Sequence, residues 1–196
     1  LTKLLTLYNQ RCYEPYLKKE LKAPKNNLKI LVFLHNSYPF ANGGYATRAD
    51  GILSALKNIG FNIVAYTRPG FPEDQIKSTF CISDKEDQKK NKTQIKYQRL
   101  NSDVKRINAR FSYTYMLESY KKYLKIISKE NPDLVLGRST YLVSFPVLIA
   151  AKEKKIPFIY EVSGLWELVF KSREKLNYGS IISTTKLETL TANASD

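Results

Sequence analysis

The sequence predicts an α/β fold, a mostly parallel sheet with helices on both faces. Three observations predict it. Apolar strand-like runs alternate with segments whose apolar residues recur at helical spacing. Each run closes on a turn rich in glycine, proline or polar residues. Strands that alternate with helices are joined by right-handed crossovers, which makes neighbouring strands parallel. At 196 residues, 43% hydrophobic and 26% charged, the chain is long enough for a substantial core.

The elements follow in order. Leu4, Tyr8, Cys12 and Tyr16 fall at helical spacing, as do Tyr13, Leu17 and Leu21. Residues 1–27 therefore read as an amphipathic helical segment broken near Pro15, ending in the linker Ala23 to Asn27. Residues 28–196 read as the α/β domain. Leu28 to Leu34 is the first strand. Tyr45 to Ile59 is a helix carrying Ile52, Leu53, Leu56 and Ile59 on one face, with Gly60 placed to cap it. Phe61 to Thr67 is a buried-type strand that must turn at Arg68-Pro69-Gly70. Asp84 to Lys92 is a charged surface loop, and Thr93 to Leu100 is another strand.

A long helix is expected over Asp103 to Lys129, with its stripe through Ile107, Phe111 and Tyr115, then Met116, Tyr120, Leu124 and Ile127. Asn131-Pro132-Asp133 ends it. Leu134 to Leu136 is an interior strand closing at Gly137-Arg138-Ser139. Tyr141 to Glu153 is helical despite Pro146, Pro157 to Val162 is a strand, and Leu187 to Asn193 belongs to a last helix.

The formal charge of +14 is carried mainly by lysines. It favours anionic partners: phosphorylated substrates, acidic lipid or nucleic acid. No RNP-like motif, zinc finger or recognition helix supports nucleic acid, so none is expected as a partner. No apolar run approaches the roughly 20 residues that span a bilayer. One histidine and two scattered cysteines, Cys12 and Cys81, have no metal-ligand spacing, and no metal is expected. Unpaired cysteines suit a reducing, cytoplasmic setting.

In parallel α/β sheets, ligands bind beyond the carboxyl ends of the strands. That rule singles out the loops His35 to Gly44, Arg68 to Asp74, Arg138 to Tyr141 and Glu161 to Glu167. Gly43-Gly44 sits between a strand and a helix, where free N–H groups and the helix dipole suit a phosphate, carboxylate or sugar oxygen. The plain alternative is a tight turn. Arg48, one turn into the helix, supplements that cradle or is surface charge. Arg138 and Ser139 follow an interior strand, and Arg138 has the fork that grips phosphate bidentately. Arg68 occupies the same kind of position beside Pro69-Gly70. His35 closes the first strand and reads first as a hydrogen-bonded structural residue. Glu161 and Glu167 bracket a polar cluster in which a carboxylate could orient an acceptor hydroxyl or take its proton, or simply cap a helix. Trp166 presents a face for a sugar ring, or closes the core edge.

Three blocks carry a family resemblance: ILVFLHNSYPFANGGYATRADGILSALKNIGFNIVAYTRPGFPED, PDLVLGRSTYL and IPFIYEVSGLWELVFKSRE. They resemble, in order and over about Leu28 to Asp196, the N-terminal domains of family 4 retaining glycosyltransferases of the GT-B fold. The resemblance implies a Rossmann-like, acceptor-binding half. The half that binds the nucleotide-sugar donor, with its paired glutamates, is expected outside this sequence, so that this chain alone would be inactive. The donor would be a cosubstrate, with no cofactor in this domain. The acceptor would be a glycan or a lipid-linked sugar of surface-polysaccharide or glycoconjugate assembly, met at the cytoplasmic face of an anionic membrane. The resemblance covers the glycine loop Gly43-Gly44 and the segment Glu161 to Glu167, and taken with the strand-end positions it leaves Glu161 and Glu167 as the catalytic candidates. Gly43, Gly44, Arg48, Arg68, Arg138, Ser139, Ser163, Trp166 and His35 are the candidates for substrate or phosphate binding. Ser163 departs from the family pattern, where an arginine stands, and Arg138 is placed to offset that missing cation. Two other readings stand beside it. One is a non-catalytic Rossmann-like binding or interaction module. The other, a nicotinamide or flavin enzyme, lacks the G-x-G-x-x-G fingerprint, and its second strand closes on Arg68 rather than on an acid.

Overall fold

A computed structural model describes residues 2–12, 27–74, 93–102, 112–165 and 178–196. The elements are α1 (Thr2–Cys12), β1 (Lys29–Leu34), α2 (Gly44–Asn58), β2 (Asn62–Thr67), β3 (Tyr97–Gln98), α3 (Ser112–Glu130), β4 (Leu134–Arg138), α4 (Tyr141–Glu153), β5 (Phe158–Glu161) and α5 (Tyr178–Asn193). The five strands form one sheet in the order β3-β2-β1-β4-β5, every pair parallel. This is the Rossmann-like α/β architecture the alternation predicts. Strand order reverses between β1 and β4, so a crevice opens there at the carboxyl edge.

Alternation along the strands sorts the core into two layers. Leu31, Phe33, Val135 and Phe158 point to one face, against buried residues of α1, α3, α4 and α5. Ile30, Val32, Leu34, Ala65 and Leu136 point to the other, against Ala49 and Leu53 of α2. Helix α4 is unusual in having no polar face: every residue from Val143 to Lys152 is buried. It runs beneath the sheet with α1, α3 and α5 around it. Two positions show why the turns hold. Gly60 follows α2 with φ +102°, the left-handed conformation that ends a helix cheaply only for glycine. Gly137 lies so close to Phe158 that an added Cβ would sit 2.7 Å from its ring.

One boundary differs from the sequence expectation. The strand foreseen over Thr93 to Leu100 shrinks to Tyr97–Gln98, because Thr93 and Tyr97 turn their hydroxyls to Asp50 of α2. The last helix, to which Leu187 to Asn193 belong as expected, spans Tyr178–Asn193. The long helix is described from Ser112, so Ile107 and Phe111 lie outside the described residues, as do Pro15, Cys81 and the loop Asp84 to Lys92.

Candidate functional site

At the carboxyl edge, β1 runs into residues 35–43 and then α2. Gly43 is the N-cap of α2, with φ −67° and ψ 168°, and no side chain caps the helix. Neither Gly43 nor Gly44 adopts positive φ, and a Cβ added to either would meet nothing within 4 Å. The turn therefore does not need glycine for its own geometry, which corrects the tight-turn reading. What the glycines leave is open space above the first-turn N–H groups. The neighbouring helix α4 is treated differently: Glu188 of α5 accepts the Tyr141 N–H at 3.0 Å, so that amino end is already occupied by a carboxylate.

Arg138, the last residue of β4, lies beneath α2. It has no exposed surface, and its guanidinium stands 5.3 Å from the centre of the Tyr45 ring. Nη2 donates to Glu161 Oε1 at 2.5 Å and to Ser163 Oγ at 3.3 Å. Nε and Nη1 are buried with no hydrogen-bond partner among the described residues. A buried cation with two unpartnered nitrogens is costly unless something anionic or polar completes it. Asn36 Oδ1 and Thr140 Oγ1, at the ends of β1 and β4, are also buried without partners among the described residues. These four orphaned atoms lie where the strand order reverses; Arg68 Nε, Ser119 Oγ and Tyr123 Oη are orphaned elsewhere.

Ser163 knits this corner together. Its N–H donates to Ser139 Oγ at 2.9 Å, its hydroxyl to Glu161 Oε1 at 3.3 Å, and its carbonyl accepts from Arg48 Nη1 at 3.2 Å. Two arginines, Arg48 and Arg138, therefore converge on Ser163. Burial pushes the Tyr45 hydroxyl up to about 12, so it stays protonated while it accepts the His35 N–H at 3.1 Å. The His35 ring meets Tyr45 edge-on, at 6.5 Å between centroids.

Arg68 has a different surrounding. Its side chain is fully buried and forks onto Asp74, Nη2 to Oδ1 at 2.8 Å and Nη1 to Oδ2. Burial opposes its charge, but Asp74 and Tyr115 together more than offset that and raise its pKa. The structure thus commits both Nη groups of Arg68 to an internal ion pair and not to the crevice. Trp166 and Glu167 lie outside the described residues.

Sequence reasoning missed Arg99, which follows β3 at the same edge. It donates to Ser37 Oγ at 2.8 Å, Thr67 Oγ1 at 3.2 Å and the Tyr38 carbonyl at 2.7 Å. It also lies against the rings of Phe40 and Phe71, 5.4 and 5.1 Å from their centroids. Burial lowers its pKa to about 10. The carboxyl-end rule that singled out Arg68 and Arg138 would have found it had β3 been given its true end. Among the described residues no group of histidine, cysteine and acidic side chains could hold a metal ion. No described helix is long and apolar enough to cross a membrane.

No family profile matches the sequence, and no curated protein does. Solved structures share the fold. MnaA of S. aureus in complex with UDP superposes with a TM-score of 0.55 at 17% identity, over 86% of this chain and 38% of that one. UDP-GlcNAc 2-epimerase of Neisseria meningitidis bound to UDP-GlcNAc superposes at 0.51 with 19% identity, over 86% and 39%. The chain thus spans about two-fifths of the length of these neighbours, and its fold is that of one Rossmann-like half of a GT-B-type protein.

Proposed function

We propose that this chain is the acceptor-side half of a nucleotide-sugar-dependent enzyme, and that the whole protein is a retaining glycosyltransferase of surface-polysaccharide or glycoconjugate assembly. The observation that carries the reading is Arg138: a fully buried guanidinium with two nitrogens, Nε and Nη1, that have no partner among the described residues, beside a helix amino end that no side chain caps. Such a corner suits an oxyanion, above all a phosphate. The three sequence blocks support the transferase assignment, and the fold likeness to two proteins solved with UDP or UDP-GlcNAc supports the nucleotide-sugar class. In this reading Gly43 and Gly44 admit the phosphate, and Arg48 and Arg138 balance its charge. Glu161, already hydrogen-bonded to Arg138, is the carboxylate nearest an acceptor hydroxyl. Ser139 and Ser163 fix the geometry of that pair.

The test is a titration of this chain with UDP and with pyrophosphate, followed by backbone amide NMR. The amides of Gly44, Tyr45 and Ala46 should shift, and Arg138→Gln should weaken binding by about tenfold or more. Gly44→Ala should also weaken it while leaving the melting temperature unchanged. Unshifted amides would remove the site. A second reading, sugar-nucleotide epimerisation, is favoured by the activity of the Neisseria neighbour. Incubating the whole protein with UDP-GlcNAc, with and without glycan acceptors, separates the two. A new glycosidic product supports transfer, and an epimerised nucleotide sugar supports the second. Neither product would leave a non-catalytic binding module.

A further inference from the structure

Tyr45 stands on the first turn of α2, yet it reaches the ends of two strands. Its hydroxyl accepts the His35 N–H at 3.1 Å, just past the end of β1. Its ring carries the Arg138 guanidinium over one face at 5.3 Å, at the end of β4. Strand order reverses between β1 and β4, so one side chain bridges the two walls of the crevice. Packing alone does not account for that arrangement. The ring rests partly against the apolar layer under α2, a place that a leucine would fill as well. A leucine would neither hold the backbone of His35 nor offer an electron-rich face to a cation.

Arg138 needs that face more than Arg68 would. Asp74 engages both Nη groups of Arg68, and two anchored nitrogens fix the plane of a guanidinium. In Arg138 only Nη2 is anchored among the described residues, by Glu161 and Ser163. A plane held at one nitrogen is free to tilt about that contact. The Tyr45 face removes this freedom. Its attraction is strongest where the cation is desolvated, and Arg138 has no exposed surface. The ring is itself fixed, rooted in α2 and tied at its tip to the backbone beyond β1.

We propose that Tyr45 is a positioning residue, which holds the Arg138 guanidinium in place beneath the uncapped first turn of α2. An oxyanion seated at that turn then meets the helix amides and the guanidinium together. Gly43 and Gly44, directly before Tyr45, leave the space above the turn open, and Tyr45 sets the cation below it. The role in binding rests on the phosphate reading of this corner; the hold on Arg138 does not.

The experiment is a double-mutant cycle read by pyrophosphate titration, by melting temperature and by the Nε–H resonance of Arg138. Tyr45→Phe keeps the ring face and loses the His35 bond, so its melting temperature should fall while affinity stays within about twofold. Tyr45→Leu loses both, and affinity should fall by about 10- to 30-fold. In an Arg138→Gln background the same leucine change should alter affinity by less than about twofold, because the group it positions is gone. The Nε–H resonance should exchange at least about tenfold faster in Tyr45→Leu than in wild type or Tyr45→Phe. Pentafluorophenylalanine in place of Tyr45 keeps the ring's shape and inverts its charge distribution. It should weaken binding relative to Tyr45→Phe, and it decides the matter if the leucine variant does not fold. Affinity that follows melting temperature through these variants overturns the proposal, as does an undiminished loss in the Arg138→Gln background. A wild-type chain that binds no pyrophosphate removes the phosphate reading instead. The Nε–H resonance then decides alone: unchanged exchange in Tyr45→Leu, or in the fluorinated variant, shows that Tyr45 does not hold the guanidinium.

Discussion

Glu188 reaches from α5 to Tyr141, where its Oε1 accepts the backbone N–H that opens α4, while its other oxygen accepts the Tyr160 hydroxyl. One carboxylate thereby joins two helices and the edge strand. Glu188→Ala should lower stability by about 1–3 kcal/mol, since it strands a helix-terminal donor and a partly buried hydroxyl. Thermal melts should show a fall of roughly 2–4 °C per kcal/mol for a chain of this size. An unchanged melting temperature would mean that water replaces the carboxylate without loss.

Two glycines should respond in opposite ways. Gly137→Ala drives a methyl against Phe158, whose ring is fully buried and has nowhere to go, and against Ser144 Oγ at 2.8 Å. Overpacking of this kind costs about 1–3 kcal/mol, measurable as a lower denaturant midpoint. Gly44→Ala adds a methyl to open space at the first position of a helix, and its midpoint should not fall.

The Glu130 carboxylate receives the Lys29 ammonium at 2.9 Å and the Tyr66 hydroxyl at 3.0 Å. The Lys29 hydrogen bond holds its carboxyl below the model-compound value of 4.5, against the effect of burial. A carboxylate depressed in the folded state contributes stability above its unfolded value and loses it as pH falls through the folded one. The melting temperatures of wild type and Glu130→Gln should therefore differ by a constant amount above about pH 5 and converge below 4.5. A gap that widened in acid would contradict the assignment.

Arg99 holds Ser37, Tyr38 and Thr67 with one planar fork, which a lysine cannot reproduce. Arg99→Lys should release the β1–α2 loop without unfolding the sheet. The Ala41 amide, hydrogen-bonded to the Ser37 carbonyl at 3.1 Å, is the reporter. Its exchange should accelerate by about tenfold, while amides of β1 stay protected.

The sheet was legible because its strands are short apolar runs closed by loops, and because α2 ends on a glycine that needs positive φ. The Arg138–Glu161 pair was legible in part. Both residues end strands, and parallel register sets them side by side. Their meeting at Ser163, and the arrival of Arg48 from α2, depend on a crossover that spacing does not encode. Arg68 and Arg138 look alike in sequence. What separates them is Asp74, which comes back within one short turn to engage both Nη groups of the first, whereas among the described residues only Nη2 of the second is engaged, by Glu161 and Ser163. Arg99 escaped notice for want of a strand end, since Thr93 and Tyr97 are drawn to Asp50 and shorten β3.

Helix α4 has one more consequence. A helix apolar on all sides gains nothing from water by facing one way rather than another, so hydrophobicity leaves its rotation about its own axis undetermined. Polar fittings at its two ends set that azimuth instead. Ser144 Oγ donates to the Arg138 carbonyl at 3.1 Å, and Lys152 Nζ to Asp196 Oδ1 at 2.6 Å. The first of these fittings grips the very residue whose guanidinium lies under α2. The greasiest rod in the molecule is thus indexed, like a key in its barrel, from the polar corner of the sheet.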